Sequence, residues 1–222
     1  MTANTIETTL ADHLALLLDY AATKKNVIWD WNGTLINDVD YVVDVINPLL
    51  ERHGLQKQTA DSYKKIFGFP VKDYYIKMGF DLEKNCFNKM SEDFHESYYS
   101  NFFSCDLYDT SKNALAEFQK QNKRQSILSA SDQQALFQVV DHYNIRNYFE
   151  HVFGIENKLA ASKLNRGLEL MYHSGYYGAD TLLIGDTDHD LEVGHKMGVE
   201  VVLLSHGHQS RERLLKIHDK VI

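Results

Sequence analysis

Short apolar runs alternate with longer amphipathic stretches along most of the chain. We predict β-strands at five such runs: Val27–Asp30, Ser126–Ser129, His151–Ile155, Thr181–Asp186 and Val199–Leu204. Apolar residues at helical spacing predict helices between the later runs, at Lys112–Gln121, Gln133–Tyr143, Lys163–His173 and Leu191–Met197. Strands that alternate with helices indicate an α/β fold, in which a parallel sheet carries helices on both faces.

Residues 7–22 predict one more amphipathic helix ahead of the first strand. Its apolar positions recur at helical spacing: Leu10, Leu14, Leu17, Leu18 and Ala21. Such a stripe usually packs on the core of its own domain. Contact with a second copy of the chain or with a partner protein is the alternative.

The stretch from about Asn37 to Asp109 interrupts the alternation of strands and helices. It contains helical patterns at Val39–His53 and Ser91–Phe103 and no convincing strand. Because it falls between the first and second predicted strands, we expect a helical insert at residues 37–109, called the insert below.

Polar side chains stand at the ends of three predicted strands. Asp30 ends the first strand, Ser129 the second and Asp186 the fourth. Open α/β sheets bind their ligands at the carboxyl ends of the strands. A carboxylate beside a hydrophobic core is costly unless it is paired or bound. We therefore expect the functional site at this edge of the sheet.

Four short motifs, in order along the chain, resemble those of the haloacid dehalogenase-like hydrolases. The loop Asp30–Thr34 is similar to the family's D-x-D-G-T motif, and Ser129 ends an apolar run like that of the second motif. Lys163 follows at the position of the third, and Gly185–Asp190 matches the family's G-D-x-x-x-D. Together the motifs span most of the chain, so the resemblance does not depend on any one of them.

The resemblance implies a Rossmann-like core domain at residues 1–36 and 110–222, with the insert as a helical cap domain. The segment Phe67–Val71 resembles the glycine-containing turn of such caps. A cap that closes over the strand ends would exclude water from the site. The alternative is a structural helical bundle that never moves.

The resemblance also implies a nucleophile and a metal site. Asp30 would attack phosphorus and form an aspartyl-phosphate. Mg²⁺ would be held by Asp30, the backbone carbonyl of Asn32 and Asp186, a set of oxygen ligands that suits this ion. Without the metal, the two carboxylates would repel each other and the phosphate. The alternative for the run around Asp186 is an acidic turn that only caps the next helix.

Further residues are implied to bind the phosphoryl group: Trp31, Asn32, Thr34, Ser129, Ala130 and Lys163. The Ser129 hydroxyl would donate to a phosphoryl oxygen, and Lys163 would add a positive charge. Lys158 competes for that role, but the spacing of Lys163 from Asp186 fits the family and Lys163 begins a helix. Asp190 would support the site by orienting metal-bound water or neighbouring loops.

Asn32 departs from the family pattern, which usually has a second aspartate at this position. In most phosphatases of the family, that aspartate protonates the leaving alcohol and later activates water. Asparagine donates hydrogen bonds but cannot pass a proton. The contribution of general acid–base catalysis to the rate, about 10²–10⁴-fold, is therefore in question. Three outcomes stay open: substrates with good leaving groups, such as acyl or aryl phosphates; another proton donor, such as His189; or slow turnover by a phosphate-binding protein.

Composition narrows the class of protein further. Hydrophobic residues make up 44% of the 222 residues, which suits a packed core. The net charge of −8 argues against general binding of nucleic acids. The longest apolar stretch near the N-terminus, Leu14–Leu18, is too short for a signal peptide or membrane span. Cys86 and Cys105 are too few for a disulfide framework, so we expect a cytoplasmic protein in which both cysteines pack.

Two histidines, His206 and His208, flank Gly207 after the last predicted strand. Paired histidines suggest a metal site, but no carboxylate or cysteine joins them at ligand spacing. We therefore expect a loop at the rim of the sheet.

These observations predict a Mg²⁺-dependent phosphatase that resembles the phosphoglycolate phosphatase branch of the family. It would act on a small phosphorylated metabolite, as a monomer or homodimer. One alternative is a non-catalytic phosphate-binding or interaction protein, which Asn32 and the N-terminal helix favour. Another is a phosphonatase that uses a lysine of the insert: Lys64, Lys65, Lys72 or Lys77.

Overall fold

A parallel five-stranded sheet forms the centre of the protein in a computed structural model that describes residues 9–156 and 162–222. Numbered along the chain, the strands are β1 (Asn26–Trp29), β2 (Ile36–Asn37), β3 (Asp106–Leu107), β4 (Arg124–Asp132), β5 (His151–Ile155), β6 (Thr181–Gly185) and β7 (Glu200–Leu203). The central sheet has the order β5-β4-β1-β6-β7, and β2 and β3 form a separate antiparallel pair. All neighbours in the central sheet are parallel, which confirms the predicted α/β fold.

The helices are α1 (Leu10–Tyr20), α2 (Val39–Arg52), α3 (Ala60–Ile66), α4 (Val71–Lys77), α5 (Phe87–Ser100), α6 (Asp109–Lys120), α7 (Gln133–His142), α8 (Lys163–Ser174), α9 (Asp188–Met197) and α10 (Arg211–Leu214). All four helices predicted between the strands are present. α6 and α9 begin earlier than predicted because their first turns are polar and carry little hydrophobic signal. Within the described part of the chain, we find no helix with the length and apolar character needed to cross a membrane.

Helices cover both faces of the sheet, because neighbouring residues of each strand point to opposite sides. Val27 and Trp29 of β1 belong to one apolar cluster, which includes Phe118 of α6. Ile28 belongs to another cluster on the opposite face, with Leu170 of α8 among its members. The predicted two-sided packing is thereby confirmed.

One predicted strand end is wrong. β4 continues past Ser129 to Asp132, and its pairing with β5 is irregular between Leu128 and Asp132. Two of the three added residues, Ser131 and Asp132, are polar, so the segment gives no apolar pattern. Ser129 therefore lies inside the strand, and Ser131 stands nearer to its end.

The N-terminal helix packs on the core as predicted. α1 begins after Thr9, which forms a capping box with Asp12. Leu17 and Ala21 are fully buried, whereas Leu10 is half exposed. Residues 7 and 8 of the predicted helix lie outside the described residues.

The insert contains α2 to α5, with a short strand at each of its ends. The prediction that it contains no strand is wrong, because β2 and β3 pair there. Two-residue strands are too short to show an alternating pattern. Apolar side chains of the insert, such as Ile46 and Tyr63, belong to the same cluster as Trp29 of the sheet. The division into a core domain and a cap domain stays a prediction.

The two cysteines differ in their surroundings. Cys105 is buried, and burial raises the pKa of its thiol to about 12. Cys86 is exposed, so the expectation that both cysteines pack is wrong for this residue. It precedes the first turn of α5, where the preceding loop leaves it uncovered.

Candidate active site

Asp30 stands at the carboxyl end of β1, the middle strand of the sheet. Its backbone amide donates to the carbonyl oxygen of Ile184 in β6 at 2.8 Å. In the neighbouring β4, Ile127 is paired with Trp29, so Ser129 lies just beyond the position opposite Asp30. The sheet register therefore brings Asp30, Ser129 and Asp186 to one edge.

Three buried carboxylates meet at this edge. One oxygen atom each from Asp30, Asp186 and Asp190 lies within 4.8 Å of the others. Burial raises the pKa of Asp30 to about 6 and holds the pKa of Asp186 well above its ordinary value. Oxygen atoms at this spacing, with excess negative charge, fit a hard divalent cation such as Mg²⁺. The predicted ligands Asp30 and Asp186 are both part of this cluster.

Lys163, the first residue of α8, lies between two of these carboxylates. Its Nζ donates to Asp30 and, at 2.6 Å, to Oδ1 of Asp190. Burial alone would lower the pKa of Lys163, but Asp190 and Asp30 raise it above its ordinary value. The ammonium group is therefore charged and held beside Asp30. Lys158, the alternative cation, lies outside the described residues.

Asp190 joins this lysine to the turn that follows β6. Its Oδ2 accepts from the Thr187 hydroxyl at 2.7 Å and from the amides of Thr187 and Asp186 at 3.0 and 3.2 Å. Burial opposes its ionisation, but Lys163 lowers the pKa of Asp190 below its ordinary value. Thr187 and Asp190 also form the capping box of α9. The acidic turn thus caps a helix and places carboxylates in the site at the same time.

Two glycines allow loops to approach Asp186. Gly33 has a φ of +69°, and a Cβ there would lie 2.3 Å from Asp186 Oδ2. A Cβ on Gly207 would lie 2.2 Å from the same atom. Asp186 also accepts hydrogen bonds from the Thr34 hydroxyl, at 3.1 Å, and from the His208 amide. The peptide that follows Asn32 therefore runs beside Asp186, where the implied carbonyl ligand is needed.

The Asn32 side chain is fully hydrogen-bonded. Its Nδ2 donates to Asp38 and to the Tyr98 hydroxyl, both at 2.8 Å. Its Oδ1 accepts from the Ser131 hydroxyl at 2.8 Å. Ser131 also donates its amide to Ser129 Oγ at 3.0 Å. The asparagine thus connects the loop after β1 to β4 and to the insert.

The remaining predicted phosphate-binding residues differ in position. The Trp31 side chain is buried and packs near Tyr143, so it contributes to the core rather than to the site. Ala130 is exposed next to Ser129. Their backbone amides stay the predicted contacts.

A sequence model of the haloacid dehalogenase-like hydrolases matches residues 27–204, which include Asp30, Lys163 and the three residues Asp186, Thr187 and Asp190. The chain belongs to this family. The match confirms the resemblance that the four motifs indicate.

Relatives of this hydrolase are similar to it over most of their length. The chain is 22% identical to phosphoglycolate phosphatase of Aquifex aeolicus, over 82% of this chain and 85% of the relative. It is 21% identical to pyrophosphatase PpaX of Bacillus mycoides, over 82% and 83%. A haloacid dehalogenase-like hydrolase from Streptococcus pneumoniae has the same fold, with a TM-score of 0.77, 14% identity and coverage of 90% of this chain and 94% of that one.

His206 and His208 do not lie at the rim of the sheet as predicted. His208 is buried, its Nε2 lies 3.2 Å from Asp38, and its Nδ1 lies 2.9 Å from the Tyr63 hydroxyl. His206 is half-buried, and its ring lies 3.8 Å from that of Tyr108. The prediction of a rim loop is wrong because α3 of the insert packs over this loop. The group of side chains found among the described residues that could hold a metal contains neither of these two histidines.

Sequence reasoning missed the groups around Asn32: Asp38, Tyr98, Ser131 and His208. Gly207 between two histidines was the one available signal for the loop after β7. Asp38 gave none, because an aspartate before a helix is usually read as its cap.

His189, the alternative proton donor, lies on the first turn of α9. Its ring faces Phe69 of the insert, with 4.6 Å between ring centroids. Burial lowers the pKa of His189 below its ordinary value, which favours the neutral ring. A neutral imidazole is poorly suited to donate a proton at pH 7.

Proposed function

We propose that this chain is a Mg²⁺-dependent phosphatase that hydrolyses a small phosphoric monoester through an aspartyl-phosphate on Asp30. The position of Lys163, buried between Asp30 and Asp190, carries the proposal. This arrangement combines a nucleophile, a fixed cation and a set of oxygen ligands within one cluster. The names of the relatives from Aquifex aeolicus and Bacillus mycoides support phosphate chemistry.

In the first step, a carboxylate oxygen of Asp30 attacks phosphorus, and the bond between phosphorus and the leaving oxygen breaks. Lys163 and the Ser129 hydroxyl stabilise the charge on the phosphoryl oxygens. In the second step, water attacks phosphorus and the bond between phosphorus and the Asp30 oxygen breaks. Inorganic phosphate leaves with the protons of the water, which restores the Asp30 carboxylate. Mg²⁺ held by Asp30, Asp186 and the Asn32 carbonyl would supply charge neutralisation throughout.

We also propose that the insert acts as the cap of this site. Tyr98 of α5 and Tyr63 of α3 both donate or accept hydrogen bonds at the loops beside Asp186. Phe69 covers His189 at the start of α9. An insert in these contacts excludes water from the reacting groups.

Asp30→Asn tests the nucleophile. Phosphate release from a panel of alkyl, aryl and acyl phosphates should require Mg²⁺ and fall to background in Asp30→Asn. Asp141→Asn, the same change at an exposed position of α7, should retain the activity of the wild type. Full turnover by Asp30→Asn would exclude Asp30 as the nucleophile. Binding of phosphate compounds with no turnover by the wild type would instead favour a binding protein.

A groove of about 260 Å³ beside Ser131 supports an aryl phosphate as substrate. Tyr99, Phe102 and Phe103 line it, facing the start of α7. An adjoining crevice, also lined by Tyr99 and Phe102, extends to Ser131, the partner of Asn32. We infer that an aryl leaving group would pack against the aromatic walls of the groove, and an aryloxide would depart without a proton from residue 32.

Phe103→Ala tests this choice, because Phe103 is half exposed at the groove. We expect the KM for an aryl phosphate to rise several-fold, whereas the KM for acetyl phosphate stays unchanged. Tyr172→Ala, at an exposed aromatic residue of α8, is the matched control. An equal rise in both KM values would remove the groove from the proposal.

A phosphonatase mechanism has less support. Of the four candidate lysines, Lys65, Lys72 and Lys77 are exposed. Lys64 is partly buried, and its Nζ donates to the carbonyl of His206 at 2.8 Å. Borohydride trapping with a phosphonoaldehyde would reveal such a lysine. A trapped adduct would favour a phosphonatase over the proposed phosphatase.

A further inference from the structure

Asp38 is a fully buried carboxylate at the start of the insert. It precedes the first residue of α2, where an aspartate normally accepts a hydrogen bond from the amides of its own helix. The Asp38 side chain makes no such capping bond. It turns towards the candidate active site instead.

Four hydrogen-bond donors from three parts of the chain surround this carboxylate. Oδ1 accepts from the Gly33 amide at 2.9 Å and lies 3.2 Å from Nε2 of His208. Oδ2 accepts from the Tyr98 hydroxyl at 2.7 Å and from Asn32 Nδ2 at 2.8 Å. The loop after β1, helix α5 and the loop after β7 therefore meet at a single side chain.

His208 balances the charge of Asp38 and connects it to the metal-competent carboxylates. Asp38 and His208 form a buried ion pair, and the His208 amide donates to Asp186. Removing one member of a buried pair leaves the other charge without compensation, which is strongly destabilising. A change at Asp38 is therefore transmitted to Asp186 through one residue.

The bonds of Asn32 show why an amide stands at that position. Two of its three side-chain hydrogen bonds use Nδ2 as the donor, to Asp38 and to Tyr98. A carboxylate donates neither bond, and it would place a negative oxygen beside Asp38 Oδ2. Like charges in a buried, low-dielectric site repel strongly. Residues 32 and 38 are thus complementary as amide and carboxylate.

We propose that Asp38 is a positioning residue, which orients Asn32 and joins helix α5 to the loop after β1, called the nucleophile loop because it begins with Asp30. On the same proposal, residue 32 is an amide because residue 38 is a carboxylate. Asp38 acts through Asn32, Gly33 and His208 and does not touch the reacting groups. The kinetic test below rests on the proposed phosphatase activity, whereas the stability test does not.

A double-mutant cycle on thermal stability tests the complementarity. Asn32→Asp and Asp38→Asn should each lower Tm by on the order of 10 °C, through repulsion in the first and an unpaired His208 in the second. The exchanged variant, Asn32→Asp with Asp38→Asn, keeps one amide and one carboxylate. Its Tm should fall by less than about half of the sum of the two single decreases, because the effects of coupled neighbours are not additive.

Asp40→Asn is the matched control, because Asp40 is an exposed carboxylate of the first turn of α2. Its Tm should change by less than about 2 °C. A double variant whose Tm loss equals the sum of the single losses would show that residues 32 and 38 act independently. That result would overturn the proposal whether or not the protein is a phosphatase.

Tyr98→Phe tests positioning in a variant that keeps the Asn32–Asp38 bond. It removes one hydroxyl from Asp38 and leaves the aromatic packing of α5 intact. We expect kcat to fall about tenfold while KM changes less than about threefold, because the nucleophile loop is displaced rather than a substrate contact removed. Tyr172→Phe, at an exposed tyrosine of α8, is the control and should keep at least half of the wild-type kcat.

Two kinetic results would contradict the positioning role. An unchanged kcat in Tyr98→Phe would show that the tie to α5 has no effect on the site. A higher KM with unchanged kcat would make Tyr98 a substrate contact instead. Absence of activity in the wild type would refute the proposed function alone, and the Tm cycle would still decide the role of Asp38.

Discussion

Lys163 donates a hydrogen bond to Asp190 at 2.6 Å while the same Nζ also donates to Asp30. The lysine comes from the start of α8, Asp30 from the end of β1 and Asp190 from the first turn of α9. Because Asp190 is also held by Thr187, the ammonium group has one fixed place beside Asp30, the proposed nucleophile. This preorganisation means that little rearrangement is needed when charge develops on a phosphoryl group.

Lys163→Met should lower kcat by about 10²–10³-fold, because it removes a preorganised cation from the phosphoryl oxygens. Initial rates at saturating Mg²⁺ and substrate measure the effect. Lys158→Met is the informative comparison, since Lys158 is the other lysine considered for this role. Greater loss in Lys158→Met than in Lys163→Met would reverse the assignment.

Mg²⁺ should raise the Tm of the wild type, because three buried carboxylates lie close together and a divalent cation would offset their repulsion. At about 100 times its Kd, a ligand adds about 2.7 kcal/mol, which corresponds to about 5–10 °C. Asp186→Asn should abolish most of this shift, and Asp141→Asn should keep it. A wild type whose Tm does not respond to Mg²⁺ would contradict the metal site.

Gly33→Ala should destabilise the protein by clearly more than Gly175→Ala. Both glycines have positive φ, at +69° and +67°, so both substitutions introduce backbone strain of about 1 kcal/mol. A Cβ at Gly33 also lies 2.3 Å from Asp186 Oδ2, whereas none of the described atoms lies within 4 Å of one at Gly175. Denaturant unfolding measures the difference, and equal losses would show that the close approach at Gly33 carries no cost.

His206 should make stability fall as the pH is lowered. Burial lowers the pKa of His206 from an ordinary 6.5 to about 4. Between these values the unfolded chain takes up a proton that the folded chain does not, so stability is present above pH 6.5 and lost towards pH 4. The loss is on the order of 3 kcal/mol.

Unfolding free energies at pH 7 and pH 4.5 check this linkage. His206→Gln should lose less stability over this range than the wild type, because glutamine does not titrate. His195→Gln, at an exposed position of α9, controls for the loss of a histidine. A wild type and a His206→Gln variant with the same pH dependence would contradict the prediction.

Much of the sheet edge could be predicted from local sequence. Apolar runs of strand length predicted β1 and β6, and Asp30 and Asp186 follow them directly. Side-chain alternation and helix periodicity are local properties, so they are readable in one sequence without knowledge of contacts. The polar end of β4 was not predicted, because Ser129 and Ser131 interrupt the local apolar pattern.

By itself, the sequence determined the α/β architecture, the family and the positions of Asp30, Lys163 and Asp186 along the chain. Only the tertiary structure decided that Asp38 faces Asn32 rather than its own helix, and that His208 is buried beside it. Tyr98, Asp38 and His208 are far apart in sequence and share no periodic pattern. Their meeting depends on how the insert packs over the sheet, and long-range packing leaves no local signature.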